Sequence, residues 1–313
     1  MKEMRVVVAG GAGFLGSHLC ERLLAEGAEV LCVDNFHTSF PSNVAHLEGE
    51  RFTLLEHDVT TPFDADADVV FNLACPASPV QYKKEPVTTT MTSVVGTANT
   101  LELATRNEAV MVLASTSEVY GDPQVHPQPE SYWGNVNPIG PRACYDEGKR
   151  CAETLCFDYR RQHGTRIKVA RIFNTYGPGM LPDDGRVVST FIMRALRGEP
   201  LTIFGDGEQT RSFCYVDDMV AALIRLANTG DDVTGPINLG SAVEITMRHL
   251  AERIIALSGS RSELVFEPSS QDDPTRRRPD LSLSDRVLSW EPTTSLDEGL
   301  RATIAFFEEG LTS

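Results

Sequence analysis

The chain has 313 residues, of which 41% are hydrophobic and 23% charged, and its formal net charge is −16. This composition is typical of a folded globular protein and argues against a disordered chain. The strong negative charge argues against nucleic acid or an anionic membrane as a partner, because both require a basic face. The length favours roughly two domains.

The start of the chain and its cysteines bear on location. An apolar strand follows the first few residues, and we recognise neither a signal peptide nor a membrane-spanning run. The seven cysteines are odd in number and include no Cys-x-x-Cys pair. We expect them to be small buried side chains in a reducing compartment, and therefore expect a cytoplasmic protein.

A glycine-rich turn lies between an apolar strand at 5–9 and an amphipathic helix at 17–26. Glycines let the backbone approach a pyrophosphate, and the positive end of the helix favours the anion. Because strand and helix both flank the turn, we interpret it as a dinucleotide site rather than a plain turn. The candidate contacts in this turn are Gly10, Gly13, Phe14, Leu15 and Gly16.

The next strands, at 29–33, 52–56 and 68–74, add further cofactor candidates. Asp34 lies 18 residues past Gly16, where a carboxylate binds the adenosine ribose and repels a 2′-phosphate, so NAD is favoured over NADP. Asp58 either contacts the adenine edge or is a solvated loop acid. A turn of small residues at 75–79 lets a ligand lie close to the fourth strand. The other candidates near these strand ends are Asn35, Phe36, Val59, Leu73, Ala74 and Ala77.

The stretch from 114 to 149 carries the candidate reacting groups. Ser115, Thr116, Ser117 and Glu118 follow an apolar strand at 110–114, where an open α/β sheet presents side chains to a ligand. Tyr145 and Lys149 lie four residues apart in a predicted helix at 143–163 and so share one face. A cation beside a phenol favours the phenolate, which can act as a base.

Strands and helices alternate as far as a sixth strand, at 167–172, and then the pattern changes. The remaining predicted helices are at 87–107, 187–197, 216–227, 246–258 and 296–309, and the remaining strands are at 200–204 and 237–240. Loops are predicted at 178–186 and 205–211. The segment at 272–280 contains prolines and cannot be wholly helical. The alternation predicts an α/β fold with a doubly wound, Rossmann-like parallel sheet. We expect this domain to comprise 1–173, 212–240 and part of 291–313, and a smaller, discontinuous substrate-binding domain to comprise 174–211 and 241–290.

Several long segments carry a family resemblance: 33–36, 73–79, 114–122, 137–150, 171–178, 184–189, 209–211 and 272–280. On these the chain resembles the extended short-chain dehydrogenase/reductases and, within that group, the UDP-glucuronate decarboxylases (UDP-xylose synthases). The glycine turn and the Tyr145–Lys149 pair specify only the wider group. Residues 116–118 and 137–150 specify the decarboxylases.

The resemblance implies an NAD-dependent, redox-neutral conversion of UDP-glucuronate into UDP-xylose through 4-keto intermediates. It implies that Thr116 and Tyr145 hold the sugar 4-hydroxyl, and that Lys149 and the nicotinamide charge lower the pKa of Tyr145. Ser117 argues against a 4,6-dehydratase, which has an acid there, and Glu118 argues against a 4-epimerase. Glu118 either disfavours the bound substrate carboxylate or organises a water that reprotonates C5.

The resemblance also implies substrate contacts at Pro79, Asn174, Arg186, Val187, Phe204, Gln209, Arg211 and Arg277. Arg211 is the candidate for the substrate carboxylate, no metal site is expected, and relatives form homodimers through the helices at 87–107 and 143–163. The chain departs from the family at Ser93, usually asparagine, at Phe204, often tyrosine, and at 37–41, which lacks basic residues. A UDP-glucuronate 4-epimerase and a decarboxylase that releases the 4-keto pentose remain alternatives. A catalytically silent NAD-sensing protein is disfavoured because Thr116, Tyr145 and Lys149 are all present.

Overall fold

The computed structural model describes residues 1–182, 185–268 and 276–312. Its strands are β1 (Arg5–Ala9), β2 (Glu29–Asp34), β3 (Phe52–Glu56), β4 (Val69–Asn72), β5 (Val110–Thr116), β6 (Arg166–Ile172), β7 (Thr175–Tyr176), β8 (Leu201–Phe204), β9 (Thr210–Ser212), β10 (Cys214–Tyr215), β11 (Ile237–Leu239), β12 (Glu244–Thr246), β13 (Leu264–Glu267) and β14 (Arg276–Arg277).

The α-helices are α1 (Phe14–Ala25), α2 (Pro79–Lys84), α3 (Pro86–Met91), α4 (Thr97–Arg106), α5 (Ala143–His163), α6 (Val187–Arg197), α7 (Val216–Ala227), α8 (Met247–Ser258), α9 (Ser282–Leu288) and α10 (Leu296–Thr312). A π-helical turn (Thr92–Gly96) joins α3 to α4, and short 3-10 turns occur at Pro41–Asn43, Ala45–Leu47 and Ser117–Tyr120. No helix in these described ranges is long and apolar enough to span a bilayer.

Seven strands form one parallel sheet in the order β11-β6-β5-β4-β1-β2-β3. From β1 the chain adds β2 and β3 on one side of the sheet. It then crosses to the other side of β1 and adds β4, β5, β6 and β11. This reversal of direction between β1 and β4 opens a crevice at the carboxyl ends of the strands, where open α/β sheets bind ligands. The predicted doubly wound parallel sheet is confirmed.

Alternate residues of β1 enter two different hydrophobic cores, one on each face of the sheet. Val6 and Val8 pack with α1 and α7, whereas Val7 and Ala9 pack with α4 and α5. Because the central strands are buried on both faces, their sequences are continuous apolar runs. The sheet is thus a rigid platform whose strand ends carry the polar residues.

A third hydrophobic cluster lies in the second half of the chain and contains Phe191, Ile203, Leu250 and Ile304. It is built from α6, α8, α10 and β8, whereas Trp290 packs into the core on the β1–α1 face of the sheet. The predicted division into two domains stays a prediction.

Some predicted elements differ from the structure. Helix α1 begins at Phe14 rather than at residue 17, because the extended Gly13 already acts as its N-cap. The end of the polar loop predicted at 205–211 instead begins β9 (Thr210–Ser212), which pairs with β12 and β14. The turn at 75–79 runs into α2, where Ser78 Oγ accepts the Gln81 amide. Residues 184 and 272–275, which contribute to the resemblance, lie outside the described residues.

Candidate active site

A cavity of about 710 Å³ opens at the carboxyl ends of β1, β4 and β5. It brings together most of the predicted site residues: Gly10, Gly13, Phe14, Leu15, Gly16, Leu73, Ala77, Pro79, Ser115, Thr116, Ser117, Glu118, Tyr145, Lys149, Asn174, Arg186, Val187, Phe204, Gln209, Arg211 and Arg277. Predicted cofactor and substrate residues therefore share one space.

Six predicted cofactor residues do not line this cavity: Asp34, Asn35, Phe36, Asp58, Val59 and Ala74. Asn35 donates to Asp58 Oδ2 at 3.1 Å, and Val59 is buried and accepts the Asn99 amide at 2.8 Å. These residues follow β2, β3 and β4 beside the cavity, so their contact with a cofactor stays a prediction.

Asp34 is buried and joins the glycine turn to the loop after β2. Its carboxylate accepts the Ala12 amide at 2.9 Å, the Phe36 amide at 2.9 Å and the Ser39 hydroxyl at 2.8 Å. Ser39 lies in the segment that lacks the family's basic residues. The carboxylate therefore fixes the shape of the turn in addition to any role toward a ribose.

Tyr145 occupies the first turn of α5, and its ring stacks on Tyr82 with centroids 5.1 Å apart and planes 3° apart. Burial raises the pKa of the Tyr145 phenol, and the Cys75 thiol raises it further, against a hydrogen bond with Thr116 that lowers it. Lys149 is buried and donates from Nζ to the Ala114 carbonyl at 2.9 Å. The protein alone therefore does not produce the lowered pKa that the resemblance implies.

Glu118 is held by two arginines that come from different parts of the chain. Arg142 Nη2 lies 2.7 Å from Oε2, while Arg277 Nη1 lies 2.7 Å from Oε1 and its Nη2 lies 2.9 Å from Oε2. Burial alone would raise the pKa of Glu118, but the two guanidinium groups outweigh it and lower the pKa to about 2. Glu118 is therefore a carboxylate at any ordinary pH and cannot act as a proton donor there.

Sequence reasoning missed Arg142, Tyr82 and Asp146. Arg142 is the only lysine or arginine between Arg106 and Lys149, which was a usable signal. Tyr82 and Asp146 are buried, and Tyr82 Oη and Asp146 Oδ1 lie among the few buried side-chain atoms of the described residues that have no hydrogen-bond partner. Nothing in the sequence indicated that these two groups would lie beside the Glu118 cluster.

A buried polar network supports the segment that carries Thr116, Ser117 and Glu118. Ser115 Oγ donates to Glu153, which Arg171 holds through Nε at 3.0 Å and Nη2 at 2.8 Å. Arg171 Nη1 also donates to the Tyr120 hydroxyl at 3.0 Å, and that hydroxyl donates to Asn238. The Arg171 guanidinium thus anchors both ends of residues 115–120.

The second half of the chain supplies the opposite wall. Arg211 on β9 is buried and donates to the Thr210 carbonyl at 2.9 Å, and Asn174 donates to the Ser212 carbonyl at 3.4 Å. Gln209 Nε2 donates to the Phe204 carbonyl at 2.6 Å, and the Phe204 ring is 48% exposed. Arg186 lies over the Phe14 ring, with its guanidinium carbon 5.2 Å from the centroid. This wall offers aromatic surface and cationic groups to a nucleotide sugar.

A sequence model described as the NAD dependent epimerase/dehydratase family matches residues 6–240. The chain belongs to the NAD dependent epimerase/dehydratase family. It is 56% identical over 300 residues to UDP-glucuronic acid decarboxylase 3 of Arabidopsis thaliana, covering 95% of this chain and 87% of that protein. It is 52% identical over 308 residues to UDP-glucuronic acid decarboxylase 1 of Danio rerio, covering 98% and 73%.

Among solved structures, the fold is similar to the UDP-glucuronic acid 4-epimerase of Bacillus cereus in complex with UDP-glucuronic acid and NAD. The TM-score is 0.86 at 29% identity, covering 98% of this chain and 99% of that one. Family membership accounts for the sheet order, the glycine turn and the Tyr145–Lys149 pair.

The residues present fit the NAD that this family uses. No side chain caps the first turn of α1 at Gly13, so its amide groups are available to a pyrophosphate. A Cβ at Gly16 would lie 2.1 Å from the Gly10 carbonyl oxygen, so only glycine allows the turn to fold this closely. Thr38 and Asn43 also line the cavity and extend it toward the loop that Asp34 anchors.

Proposed function

We propose that the protein converts UDP-glucuronate into UDP-xylose and carbon dioxide, with NAD that is regenerated in each turnover. The observation that carries this proposal is the Arg142–Glu118–Arg277 cluster, which lines the same cavity as Thr116 and Tyr145. Identities of 52–56% to proteins named UDP-glucuronic acid decarboxylases support it, whereas the 4-epimerase of Bacillus cereus is 29% identical.

Tyr145 and Thr116 act on the 4-hydroxyl of the sugar. Both side chains line the cavity, and Thr116 lies close enough to the Tyr145 phenol to lower its pKa, so one sugar oxygen can contact both hydroxyl groups. Tyr145 accepts the proton of the 4-hydroxyl as the C4–O bond becomes a carbonyl. NAD held at the glycine turn, Gly10–Gly16, would supply the acceptor and later the donor of the C4 hydride. Lys149, buried beside the end of β5, supplies positive charge near the tyrosine.

The 4-ketone makes loss of the carboxylate possible. The C5–C6 bond breaks, carbon dioxide leaves, and the electron pair moves into the ketone oxygen as an enolate held by the Thr116 and Tyr145 hydroxyls. Protonation at C5 regenerates the ketone, and the return of hydride to C4 and of a proton from Tyr145 gives the pentose. One proton is consumed for each carbon dioxide released.

Glu118 moderates how tightly the arginines hold the substrate carboxylate. An arginine fork with no other partner would bind that carboxylate strongly and so stabilise the ground state that must lose charge as carbon dioxide. Because Arg142 and Arg277 are already paired with Glu118, they can attract the substrate without trapping it. This favours the first of the two roles considered for Glu118, that of disfavouring the bound carboxylate.

The test is to incubate the purified, NAD-loaded protein with UDP-glucuronate and to follow carbon dioxide and the sugar by NMR. We expect equal amounts of carbon dioxide and UDP-xylose. UDP-galacturonate with its carboxylate intact would overturn the proposal in favour of a 4-epimerase. Accumulation of a 4-keto pentose with reduced cofactor would show that the intermediate is released.

We also propose a homodimer through the helices at 87–107 and 143–163. Support comes from Val87 and Met91 on α3, whose apolar side chains are 75% and 47% exposed beside α5. Glutamate at both positions should halve the mass measured by light scattering, while Val243→Glu, at a site 73% exposed elsewhere, should not. A wild-type mass equal to one chain at every concentration would refute the dimer.

We also propose that the protein is located in the cytoplasm. It is supported by the seven cysteines, all of which lie in the described ranges as free thiols, as expected in a reducing compartment. Fractionation of cells that express the tagged chain tests this directly.

A further inference from the structure

Asp146 is a buried carboxyl group that the reaction described above does not use. It follows Tyr145 in the first turn of α5, and only 6% of its surface is exposed. Its Oδ1 atom is fully buried and accepts no hydrogen bond. The hydroxyl of Tyr82, whose ring stacks on Tyr145, is likewise buried without a partner.

Such a site favours the neutral form of the acid. Burying an ionised carboxylate with an unpartnered oxygen costs more free energy than its position at the start of a helix returns. Burial, then the negative charge of Glu118, raises the pKa of Asp146 to about 7, against the lowering influence of Arg142 and Arg277. Asp146 therefore changes charge within the ordinary working range of an enzyme.

The groups that face Asp146 come from several elements. They are Tyr82 on α2, Glu118 in the turn after β5, Arg142 just before α5, Arg277 on β14, and Cys144 and Glu147 on its own helix. Of these, Glu118, Arg142 and Arg277 line the cavity, whereas Asp146 does not. When Asp146 ionises, it adds one negative charge near enough to the arginines to interact with them.

We propose that Asp146 is a positioning residue for carboxylate recognition, neutral while the substrate carboxylate is bound at the Glu118 cluster and weakening that binding when it ionises. The inference rests on the proposed function, because it assumes a uronate as substrate. By linkage, a bound carboxylate must in turn hold Asp146 in its neutral form.

The experiment compares two ligands that differ only in the carboxylate. The KM of UDP-glucuronate and the inhibition constant of UDP-xylose are measured between about pH 6 and pH 8 for the NAD-loaded wild type, Asp146→Asn and Asp158→Asn. In the wild type, the KM should rise about fivefold across this range, because Asp146 titrates near pH 7 and a nearby like charge is worth roughly one pKa unit. The inhibition constant of UDP-xylose should stay constant.

Asp146→Asn should keep the low KM of the wild type at acid pH and show no rise. Asp158→Asn, which removes an exposed carboxylate from the same helix, should behave as wild type. A pH-independent KM in the wild type, or a parallel loss of UDP-xylose binding, would overturn the inference. If Asp146→Asn does not fold, the wild-type comparison of the two ligands still decides. Absence of carbon dioxide at every pH would instead defeat the proposed function.

Discussion

Arg277 holds Glu118 through two parallel hydrogen bonds, with Nη1–Oε1 at 2.7 Å and Nη2–Oε2 at 2.9 Å. The two residues lie 159 positions apart in the chain. The second half of the chain therefore completes a site whose reacting groups follow β5. Displacement of β14 would leave Glu118 held by Arg142 alone.

Glu118→Gln should reduce both stability and turnover. Removing one partner of a buried ion pair leaves charge uncompensated and costs roughly 3–5 kcal/mol. Two arginines lose their shared partner here, so we also expect tighter binding of UDP-glucuronate together with slower release of carbon dioxide. Denaturant titration and steady-state kinetics measure the two effects.

The matched control is Glu26→Gln, which breaks the exposed Arg22–Glu26 pair at 2.8 Å. Surface pairs of this kind contribute about 0–1 kcal/mol, so this variant should be close to wild type. Equal stability losses in the two variants would contradict the importance of the Glu118 cluster.

The stabilisation by Glu118 should also depend on pH. The pKa of Glu118 is lowered to about 2, so the ionised side chain stabilises the fold fully at any pH above the ordinary pKa of glutamate. That contribution falls progressively as the pH drops from the ordinary pKa of glutamate and is gone below about pH 2.

Tyr145→Phe should abolish most of the activity without unfolding the protein. A positioned acid–base group contributes roughly 10²–10⁴-fold to rate, and the stacking of ring 145 on Tyr82 is kept in phenylalanine. The measurement is carbon dioxide release together with a thermal melt. Tyr159→Phe, on the same helix but outside the cavity, is the control, and comparable losses of activity in both would argue against Tyr145 as the base.

Local sequence pattern was enough to predict the frame of the site. Helix α5 begins and ends at the predicted residues, and β3 does so too, because local pattern defines them: apolar spacing marks both, and Gly164 in the left-handed conformation ends α5. The glycine turn was recognisable for the same reason, since strand, glycines and helix are contiguous.

Long-range pairing and depth of burial could not be predicted from local sequence pattern. Arg277 was predicted as a substrate contact, but its pairing with Glu118 depends on how β9 and β14 come together. β9, three residues long, is too short to show a period. The Tyr145–Lys149 spacing implied a lowered pKa, but burial of the phenol dominates, and burial depends on packing by residues remote in sequence.

Gly16→Ala should destabilise the cofactor site. The added Cβ would lie 2.1 Å from the Gly10 carbonyl oxygen and 2.7 Å from the Gly11 Cα, both backbone atoms that cannot turn away. We expect a lower melting temperature and loss of NAD, measured by calorimetry. Gly310→Ala, in a helix with no neighbour within 4 Å, should instead stabilise by up to about 1 kcal/mol. Retention of NAD by Gly16→Ala would contradict the interpretation that the closely packed glycine turn binds the cofactor.

Arg171→Lys should slow turnover while leaving the affinity for UDP-glucuronate nearly unchanged. Arg171 does not line the cavity, but its fork holds Glu153 and its Nη1 holds the Tyr120 hydroxyl at 3.0 Å. An ammonium group cannot reproduce this planar set of donors. Lysine cannot hold both ends of residues 115–120 as Arg171 does, so Thr116 should be less well positioned toward Tyr145.

Arg166→Lys provides the control on the same strand, because Arg166 forms an exposed pair with Asp231 at 2.8 Å. Exposed pairs are worth about 0–1 kcal/mol, whereas loss of a buried hydrogen bond to a charged group costs roughly 1.5–3 kcal/mol. We therefore expect a lower kcat and a lower unfolding free energy for Arg171→Lys only. A raised KM with an unchanged kcat would show that Arg171 supports substrate binding instead of the position of Thr116.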